Sequence, residues 1–573
     1  MKQNFLLCLA PALAALALTA CGGAQAGKRA ADPALRALIN LDGTLPIIRE
    51  AEKFPPLKMF YITSPVRVVP VQDLAMNRKL AGLTGAAFDW EVVPGEGAGE
   101  KLNLMFASGS ALPDAFWNGI GPGMVSQYLD QDIFLPTEGL IEQYMPRLRA
   151  ILEKHPEYRA AATAPDGHMY GFPYIEEMKG LVLTPGPFII NTEWLRKVGK
   201  EMPATVDEFT GVLRAFRDAG DLNGNGLADE IPYSVGFTVH DAFGSYNTFH
   251  QFTGAFGQAD SYCGGNGVAD HLRVIDGRVV FTALDPAYRE TARYFHMLNK
   301  EKLIDADSFA PGPNGLPLYT NRITGSEAVV GVMGLWAPAN EITDPGVRRQ
   351  YAALPRMAGP GGKTGFVLNF SEMQDTSMVA ITTECAYPEL IAAYVDLCYE
   401  PELSITLNWG AEGVIYEKGA DGMLHFRLDA DNNIKLIAPY KTFGELRENS
   451  TPGRGGLAVL NEYYGAVADY TWDAVDLLEG QIAGGKYELL AEYTPVPKMI
   501  LTQEEQMRIS RIQPSIADIV DRYTVQWVLD GNIDATWDHY RAELEAAGVA
   551  DLAAAFQGAY ERYLAAREKA MAK

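Results

Sequence analysis

The chain has few cysteines, few histidines and a shortage of basic residues. Its 573 residues include 5 cysteines, 8 histidines and 48 lysines and arginines against 72 aspartates and glutamates, so the net charge is −24. Phosphate binding needs a local excess of lysine and arginine, and no long basic block is present, so we expect no nucleic-acid partner. Because there is no Cys-x-x-Cys pair and no cysteine–histidine ligand spacing, a disulfide among Cys263, Cys385 and Cys398 stays open.

The sequence also lacks the short motifs of common enzyme classes. Residues 360–364 read Pro-Gly-Gly-Lys-Thr, but a phosphate-binding loop would need its first glycine at position 357, which is methionine. No Gly-x-Ser-x-Gly elbow and no His-Glu-x-x-His helix is present. We therefore expect no enzyme. A glycan-acting enzyme is the alternative that stays open, because its two carboxylates need no fixed spacing.

The longest apolar run lies at the N-terminus. A short positive start precedes an apolar stretch over residues 5–18, which is too short for a comfortable transmembrane span. The stretch ends in Leu-Thr-Ala-Cys, which resembles a bacterial lipobox. The resemblance implies a lipoprotein signal peptide over residues 1–20, lipidation of Cys21 and a tether over residues 21–54. We expect an extracytoplasmic protein that contacts the cell membrane only through this anchor, with an ordinary cleaved signal as the alternative.

A polar loop at residues 221–230 has the spacing of a cation site. Side-chain oxygens at its first, third, fifth and ninth positions, with Gly226 at the sixth, match an EF-hand-type calcium loop, in which the seventh carbonyl also faces the ion. Position twelve is Pro232, so Glu230 must complete the ligand shell. The predicted ligands of a structural calcium ion are Asp221, Asn223, Asn225, Leu227, Asp229 and Glu230. The alternative is a surface turn rich in asparagine and glycine.

The rest of the chain alternates short strand patterns with helical ones. Residues 57–62 and 88–93 read as strands, and residues 76–82 between them read as a helix. Residues 188–234 contain a strand, two helices around a proline-containing link, and the polar loop. From residue 457 onward the pattern is mostly helical. Alternation of this kind predicts an α/β fold with helices on both faces of a sheet.

Several blocks, in order along the chain, resemble the bacterial extracellular solute-binding proteins that serve carbohydrate ABC transporters. The polar loop resembles one that holds structural calcium in a large-lipoprotein branch of this family, which includes alginate-oligosaccharide binders. The resemblance covers roughly residues 55–565. The blocks are KLNLMFASGSALPDAFW at 101–117, DGHMYGFPY at 166–174, NTEWL at 191–195, PATVDEF at 203–209, NWGAEGVIYE at 408–417, LDGN at 529–532 and WDHY at 537–540.

The resemblance implies a periplasmic-binding-protein-like fold, in which two α/β lobes are joined by a multi-crossing hinge and followed by a helical C-terminal part. It assigns residues 55–175 and 325–420 to the N-terminal lobe, and residues 176–324 and 421–573 to the C-terminal lobe. It places the crossings between lobes near residues 173–187, near residues 319–327 and after about residue 416.

The resemblance also implies a function. The protein would be an extracellular receptor that binds a carbohydrate, in particular an oligosaccharide, and delivers it to the permease of an ABC importer. Contacts from both lobes exist together only when the hinge is closed, so ligand shifts the population toward closure. We expect a monomer. A receptor for another solute, an acidic sugar or a peptide, is the alternative, and a cleft rich in arginine and lysine would favour the acidic sugar.

A sugar-binding cleft needs flat aromatic rings for the C–H faces of the sugar and planar polar groups for its hydroxyls. In the proteins that this chain resembles, the end of the early strand faces the cleft, and a sugar-contacting acid follows the first crossing between the lobes. Trp336 follows a strand at a predicted crossing, and Trp409 lies in the Gly-x-Glu-Gly block at residues 410–413. The candidates are Asp114, Trp117, Tyr174, Glu176, Glu177, Trp336 and Trp409, with Tyr246 and Phe370 in addition. The alternatives are a core position for Trp117, a turn-capping role for Asp114 and solvated loop positions for the two glutamates.

Overall fold

The fold is that of a computed structural model, which describes most of the chain. The described residues are 29–108, 111–177, 186–237, 249–260, 270–309, 325–335, 338, 342, 344–363, 371–430, 434–452, 455–469 and 494–572. They form two α/β lobes that share no sheet, a hairpin of β12 (Tyr416–Lys418) and β13 (Leu424–Phe426), and a group of C-terminal helices. Within these residues, no helix combines the length and the apolar character that a membrane span requires.

A six-stranded sheet forms the centre of the first lobe. In spatial order its strands are β14 (Ala458–Val459), β4 (Phe172–Glu176), β11 (Met373–Ile381), β3 (Ala115–Trp117), β1 (Leu57–Thr63) and β2 (Phe88–Pro94). The strands run parallel except β11, which lies antiparallel between β3 and β4. Met59, Phe60 and Tyr61 follow one another in β1 and are all buried, as expected for a parallel strand with both faces covered.

Helices cover both faces of this sheet. Successive side chains of β1 point to opposite faces, so Met59 and Tyr61 belong to one core cluster and Phe60 belongs to the other. Several of the helices begin with proline, which fits the first turn because its missing N–H would have no partner there. The helices of this lobe are Ala75–Thr84, Ala98–Ser108, Gly121–Tyr128, Glu138–Tyr144, Pro146–Lys154, Pro156–Ala161, Pro388–Asp396, Pro401–Trp409 and Phe443–Glu448.

The second lobe contains a four-stranded sheet and a three-stranded sheet. The first has the order β10 (Tyr351–Ala353), β5 (Phe188–Asn191), β9 (Val330–Gly334), β6 (Ile231–Tyr233), and the second has the order β15 (Thr494–Pro495), β7 (Leu272–Ile275), β8 (Arg278–Phe281). The helices of this lobe and of the C-terminal part are Thr192–Lys197, Val206–Ala219, Pro286–Lys300, Pro345–Arg348, Gln503–Asp530, Ile533–Ala547 and Val549–Met571. They enclose a separate core rich in aromatic side chains.

The predicted strand, helices and polar loop of residues 188–234 all form. The helix Val206–Ala219 begins with a capping box, in which the Glu208 N–H donates to Thr205 Oγ1 over 3.1 Å and the Thr205 N–H donates to the Glu208 carboxylate over 3.2 Å. Phe209, Leu213 and Phe216 lie on one helix face and are buried in the second core. The polar loop therefore connects a firmly packed helix to β6.

The domain boundaries differ from the predicted ones. Residues 33–54 begin with the helix Pro33–Arg36 and bury Ile39, Ile48 and Phe54 in the first core, so their assignment to a tether is wrong. β9 and β10 belong to the sheet of the second lobe, so the assignment of residues 325–354 to the N-terminal lobe is wrong. β14 pairs with β4 in the first sheet, where Ala458 lies opposite Ile175, so the assignment of residues 421–469 to the C-terminal lobe is wrong as well. The chain changes sheets between residues 353 and 373 and again between 468 and 494, not near 319–327 and 416.

The predicted helical C-terminal part is present, and its last helix contacts both lobes. Ala555 and Ala559 are buried in the second core, whereas Tyr563 packs against both cores. Arg562 donates to Glu505 over 3.0 Å and ties this helix to Gln503–Asp530. Of the cysteines whose pairing stays open in the sequence, Cys385 and Cys398 are free thiols, and Cys263 lies outside the described residues.

Candidate functional site

The carboxyl ends of the parallel strands lie at one edge of the first sheet. β1 ends at Thr63, β3 at Trp117 and β4 at Glu176, and these strands run in the same direction. Ligands of open α/β sheets bind outside this edge. Glu176 and Glu177 lie at the end of β4, immediately before the chain leaves for the second lobe.

Three of the predicted site residues come together at this edge. The hydroxyl of Tyr174 donates to the carboxylate of Glu176, and the side-chain amide of Asn408 donates to Glu176 Oε1 over 3.0 Å. The same amide lies 3.2 Å from the Tyr174 hydroxyl. Asn408 and the third predicted residue, Trp409, end the helix Pro401–Trp409, so this helix delivers both side chains to the end of β4.

Arg447 completes the group from the helix Phe443–Glu448. Its Nε donates to the backbone carbonyl of Asn408 over 2.6 Å and its Nη2 to Asn408 Oδ1 over 3.0 Å. The guanidinium carbon lies 4.4 Å from the centre of a Trp409 ring, within the range of a cation–π contact. We call Tyr174, Glu176, Asn408, Trp409 and Arg447 the Trp409 cluster.

The Trp409 cluster is buried and polar. Trp409 stacks on Phe443, with ring centres 6.3 Å apart, and Tyr174, Glu176 and Asn408 are buried beside it. Burial raises the pKa of Tyr464 well above its ordinary value, and Tyr416 and the Glu176 carboxylate add to the rise, so Tyr464 is a neutral hydrogen-bonding group. One carboxylate, one guanidinium and one amide are the planar groups that sugar hydroxyls bind, on a rigid aromatic support.

Glu177 belongs to a different group of side chains. Its Oε1 accepts from the Tyr158 hydroxyl over 2.8 Å and its Oε2 accepts from the Asn461 N–H over 2.7 Å. Burial raises the pKa of Glu372 to about 7, and the nearby Glu177 carboxylate adds to the rise. Glu177 is therefore a buried anchor between β4 and the segment after β14, and not a solvated loop residue.

Asp114 and Trp117 lie apart from the Trp409 cluster. Asp114 precedes β3, at the sheet edge opposite to the strand ends, where its Oδ2 accepts from the Lys58 N–H over 2.7 Å. Trp117 is buried in the first core, where its ring lies 6.4 Å from that of Trp90 and 6.3 Å from that of Tyr394. The position of Trp117 matches the core alternative, whereas the Asp114 carboxylate contacts the backbone of β1 instead of capping a turn. A role in ligand binding stays a prediction for both residues.

Other predicted residues cannot be placed. Tyr246, Trp336 and Phe370, and the lipidation site Cys21, lie outside the described residues. Asn408, Arg447 and Tyr464 are functional candidates that the sequence reasoning missed. Asn408 stands beside Trp409 in a block that carries the family resemblance, which could have drawn attention to it. Arg447 has no comparable signal in the sequence. It lies 39 residues after Asn408, and only folding brings the two together.

The side-chain oxygens of the polar loop accept hydrogen bonds from backbone N–H groups of the same loop. Asp221 accepts from the N–H groups of Gly224 and Gly226 over 2.6 and 2.9 Å, and Asn225 Oδ1 accepts from the Leu227 N–H over 2.8 Å. Gly224 and Gly226 both have a φ of 86°, which glycine adopts without strain. Leu227 is 61% exposed.

Two carboxylates complete this loop. Glu230 Oε1 accepts from the Asn223 N–H over 2.8 Å, whereas Glu230 Oε2 is buried and has no hydrogen-bond partner among the described residues. A buried carboxylate oxygen without a partner is costly, and a bound cation would satisfy it. Glu327 reaches the loop from outside and accepts from Asn225 Nδ2 over 3.0 Å. The residues present fit a calcium ion.

Comparison with known proteins identifies the family. No protein-family model matches the chain. The fructooligosaccharide ABC transporter substrate-binding protein FusA of Streptococcus pneumoniae serotype 4 is 34% identical over 521 residues, which cover 89% of this chain and 90% of FusA. The chain belongs to the substrate-binding proteins of ABC transporters. The family predicted from the ordered sequence blocks is confirmed.

Solved structures agree with this assignment. FusA in complex with kestose superposes with a TM-score of 0.72 at 32% identity and covers 89% of this chain and 100% of its own. A FusA EF-hand mutant in complex with fructo-nystose gives the same values. The two-lobed binding-protein fold of this substrate-binding protein is thereby confirmed.

More distant relatives share part of this likeness. Lipoprotein LipO of Bacillus subtilis is 24% identical over 347 residues, which cover 59% of this chain and 63% of LipO. The alginate-binding protein AlgQ2, solved without calcium ion, has a TM-score of 0.66 at 20% identity over 88% of this chain and 98% of its own, which is a likeness of fold alone. This substrate-binding protein therefore shares its architecture with carbohydrate-binding proteins beyond FusA.

Proposed function

We propose that this protein captures a fructooligosaccharide outside the cell and delivers it to the permease of an ABC importer. The observation that carries the proposal is the 34% identity to FusA over 89% of the chain, because an alignment of that length includes both lobes. A ligand held between two lobes depends on side chains from each of them. FusA is named for fructooligosaccharides, and that substrate class is the one we propose here.

The Trp409 cluster is the proposed first-lobe part of the ligand site. It offers amide, guanidinium and carboxylate groups beside the strand ends, and its one carboxylate and one guanidinium balance each other. A fructosyl unit is uncharged and rich in hydroxyls, so it needs hydrogen bonds without excess charge. An acidic sugar would need arginine or lysine in excess, and this cluster does not supply it.

Hinge closure is the proposed response to ligand. Glu176 ends β4, and β5 of the second lobe begins at Phe188, so the cluster lies close to a segment that joins the lobes. Ligand bound at this position contacts the second lobe only when the lobes approach each other. It thereby shifts the population toward the closed state, which the permease would recognise.

A thermal-shift screen of the chain without residues 1–21 tests the proposal. Kestose and nystose are compared with sucrose, maltotriose, an alginate oligosaccharide and a peptide mixture, all in calcium buffer. A ligand at about a hundred times its dissociation constant adds about 2.7 kcal/mol to folding, which is readily measured. A shift with kestose and nystose is the expected result. A shift with another solute alone would reject the substrate class, and release of reducing sugar from kestose would reveal an enzyme.

We further propose that the polar loop holds one structural calcium ion. The proposed ligands are the side-chain oxygens of Asp221, Asn223, Asn225, Asp229 and Glu230 and the carbonyl of Leu227. The buried, unpartnered oxygen of Glu230 supports the proposal, as does the description of a FusA variant as an EF-hand mutant. The ion would fix the link between the helix Val206–Ala219 and β6 and would not contact the transported ligand.

We also propose that Cys21 carries a lipid and anchors the protein as a monomer on the outer side of the cell membrane. The lipobox resemblance supports this anchor, and the likeness to Lipoprotein LipO agrees with it. Metabolic labelling with a fatty-acid analogue tests it directly. The intact chain should incorporate the label, and the Cys21→Ala variant should lose it.

A further inference from the structure

A group of histidine and aspartate side chains, of the types that bind metal ions, lies in the second lobe and shares no residue with the polar loop. His250, Asp260 and His271 are 5%, 1% and 3% exposed, and one ligand atom from each lies within 4.8 Å of the other two. The Nδ1 atoms of His250 and His271 both lie 2.9 Å from Asp260 Oδ2. One carboxylate oxygen thus faces two imidazole nitrogens in a fully buried position.

The side chains around Asp260 hold it in this orientation. The hydroxyl of Thr282 donates to Asp260 Oδ1, so Oδ2 remains directed at the two imidazoles. The Asp260 N–H donates to Thr253 Oγ1 over 2.7 Å, and Arg273 donates to the preceding carbonyl of Ala259 over 2.9 Å. Hydrogen bonds to ligating carboxylates are a regular part of metal sites, because they orient the ligand and tune its basicity.

The backbone at His271 is held in an unfavourable conformation. Its φ is 60°, in the left-handed region, which is sterically unfavourable for a residue other than glycine. The strained residue is fixed by its carbonyl, which accepts from the Thr282 N–H over 2.7 Å. Strain of this kind persists where the surrounding structure enforces it, and here it accompanies an imidazole directed at Asp260.

We propose that His250, Asp260 and His271 bind a divalent transition cation of the zinc class. Two imidazole nitrogens and one carboxylate oxygen form a common zinc ligand set, whereas calcium prefers oxygen ligands alone. Two ligands about 2.0–2.2 Å from a tetrahedral zinc lie about 3.3–3.6 Å apart. The present separations of 2.9 Å therefore need to widen by only about 0.4 Å or slightly more for the ion to enter.

The ion would act as a structural clamp. His250 lies 10 residues before Asp260, and His271 lies 11 residues after it, so the three ligands come from three separate segments. The first segment is the helical turn Phe249–Phe256 and the last leads into β7. Binding to the folded state alone would add to the stability of the second lobe.

The alternative is a hydrogen-bonded group without metal. Burial lowers the pKa of His271, but the Asp260 carboxylate outweighs this effect and raises it overall, which favours an imidazolium–carboxylate pair. A proton on Nδ1 of each histidine would then occupy the position proposed for the ion. The two arrangements differ in metal content, which can be measured.

Cobalt titration of the metal-free wild-type chain, in calcium buffer that saturates the polar loop, distinguishes them. We expect one cobalt ion per chain, with visible absorption bands typical of a four-coordinate site with nitrogen ligands, and displacement of those bands by one equivalent of zinc. Absence of stoichiometric cobalt and zinc binding to the folded wild-type chain would establish the hydrogen-bonded group and overturn the proposal. This measurement does not depend on whether any variant folds.

Variants locate the site. His271→Asn should weaken zinc binding at least about 100-fold, since it removes a direct ligand. The matched control is His425→Asn, because the imidazole of His425 also faces two carboxylates, those of Asp421 and Asp469, but is partly exposed. Asp221→Ala serves as the control for the polar loop. Both controls should keep full zinc affinity, and an unchanged affinity in His271→Asn would reject this location.

Discussion

The guanidinium of Arg447 lies against the indole of Trp409, with 4.4 Å between its central carbon and the ring centre, and the same group donates to both oxygens of the preceding residue, Asn408. One side chain therefore fixes the backbone and the ring at the end of the helix Pro401–Trp409. Through the Asn408 amide it also acts on Glu176 at the end of β4. This relationship connects two segments of the proposed ligand site, and a substitution of Arg447 tests whether it matters for binding.

Replacing Arg447 with lysine should weaken kestose binding at least about tenfold. Lysine keeps the charge but has no planar fork, so it cannot donate to the carbonyl and the side-chain oxygen of Asn408 together. Isothermal titration calorimetry measures the affinity. Arg196→Lys is the matched control, since Arg196 pairs with Glu193 on an exposed helix face. Equal affinities for both variants would show that Arg447 does not position the site.

Glu176→Gln should lower both stability and affinity. The Glu176 carboxylate accepts hydrogen bonds from Tyr174 and from Asn408. Glutamine replaces one carboxylate oxygen with an amide NH2 group, which donates but does not accept. One buried donor then loses its partner, at about 1–3 kcal/mol. Urea unfolding measures the free energy of unfolding, and isothermal titration calorimetry measures the affinity for kestose. The exposed Glu193→Gln is the control, and a loss of the same size in that variant would contradict this account.

Removal of calcium should destabilise the wild type and leave Asp221→Ala unaffected. The loop carboxylates repel one another and leave Glu230 Oε2 without a partner when no cation is bound. Melting temperatures are measured with calcium and with chelator. Asp218→Ala, which alters an exposed carboxylate just before the loop, should respond to chelator as the wild type does. Identical melting of all three proteins in both buffers would reject the calcium site.

Protonation of Glu372 should make one part of the stability depend on pH. Burial raises its pKa from 4.5 to about 7, so the folded state binds this proton more tightly than the unfolded state. Its contribution to stability is complete below pH 4.5 and is lost as the pH rises to about 7, by at most about 3 kcal/mol.

The variant Glu372→Gln isolates this contribution. The free energy of unfolding of the wild type minus that of the variant should decrease as the pH rises from 5 to 7.5. The exposed Glu153→Gln should follow the wild type over the same range. A difference that stays constant or rises with pH would be the opposite of the expected sign.

Local patterns predicted the elements of this fold well. β1 and the helix Val206–Ala219 follow from apolar spacing, and the capping box of Thr205 and Glu208 marks a helix start in the sequence itself. The polar loop was predicted at its correct position between helix and strand. These features depend on residues close together in the chain, which a sequence pattern records directly.

Long-range pairing was not predictable in the same way. The two residues of β14 join β4 through backbone hydrogen bonds, which do not depend on side-chain identity, so their lobe was assigned wrongly. Arg447 and the group of His250, Asp260 and His271 also derive their roles from segments brought together by folding. Trp117 and Trp409 look alike in sequence and are both buried in the first core, and only the tertiary structure shows that Arg447 lies against the ring of Trp409.

The most direct test of the central claim is a calorimetric titration of kestose into the calcium-saturated wild-type chain without residues 1–21. The account predicts saturable binding of one kestose per chain, with no comparable heat from maltotriose or an alginate oligosaccharide. Absence of binding to kestose and nystose, by a chain that is shown to be folded, would contradict the assignment of this protein as a fructooligosaccharide receptor.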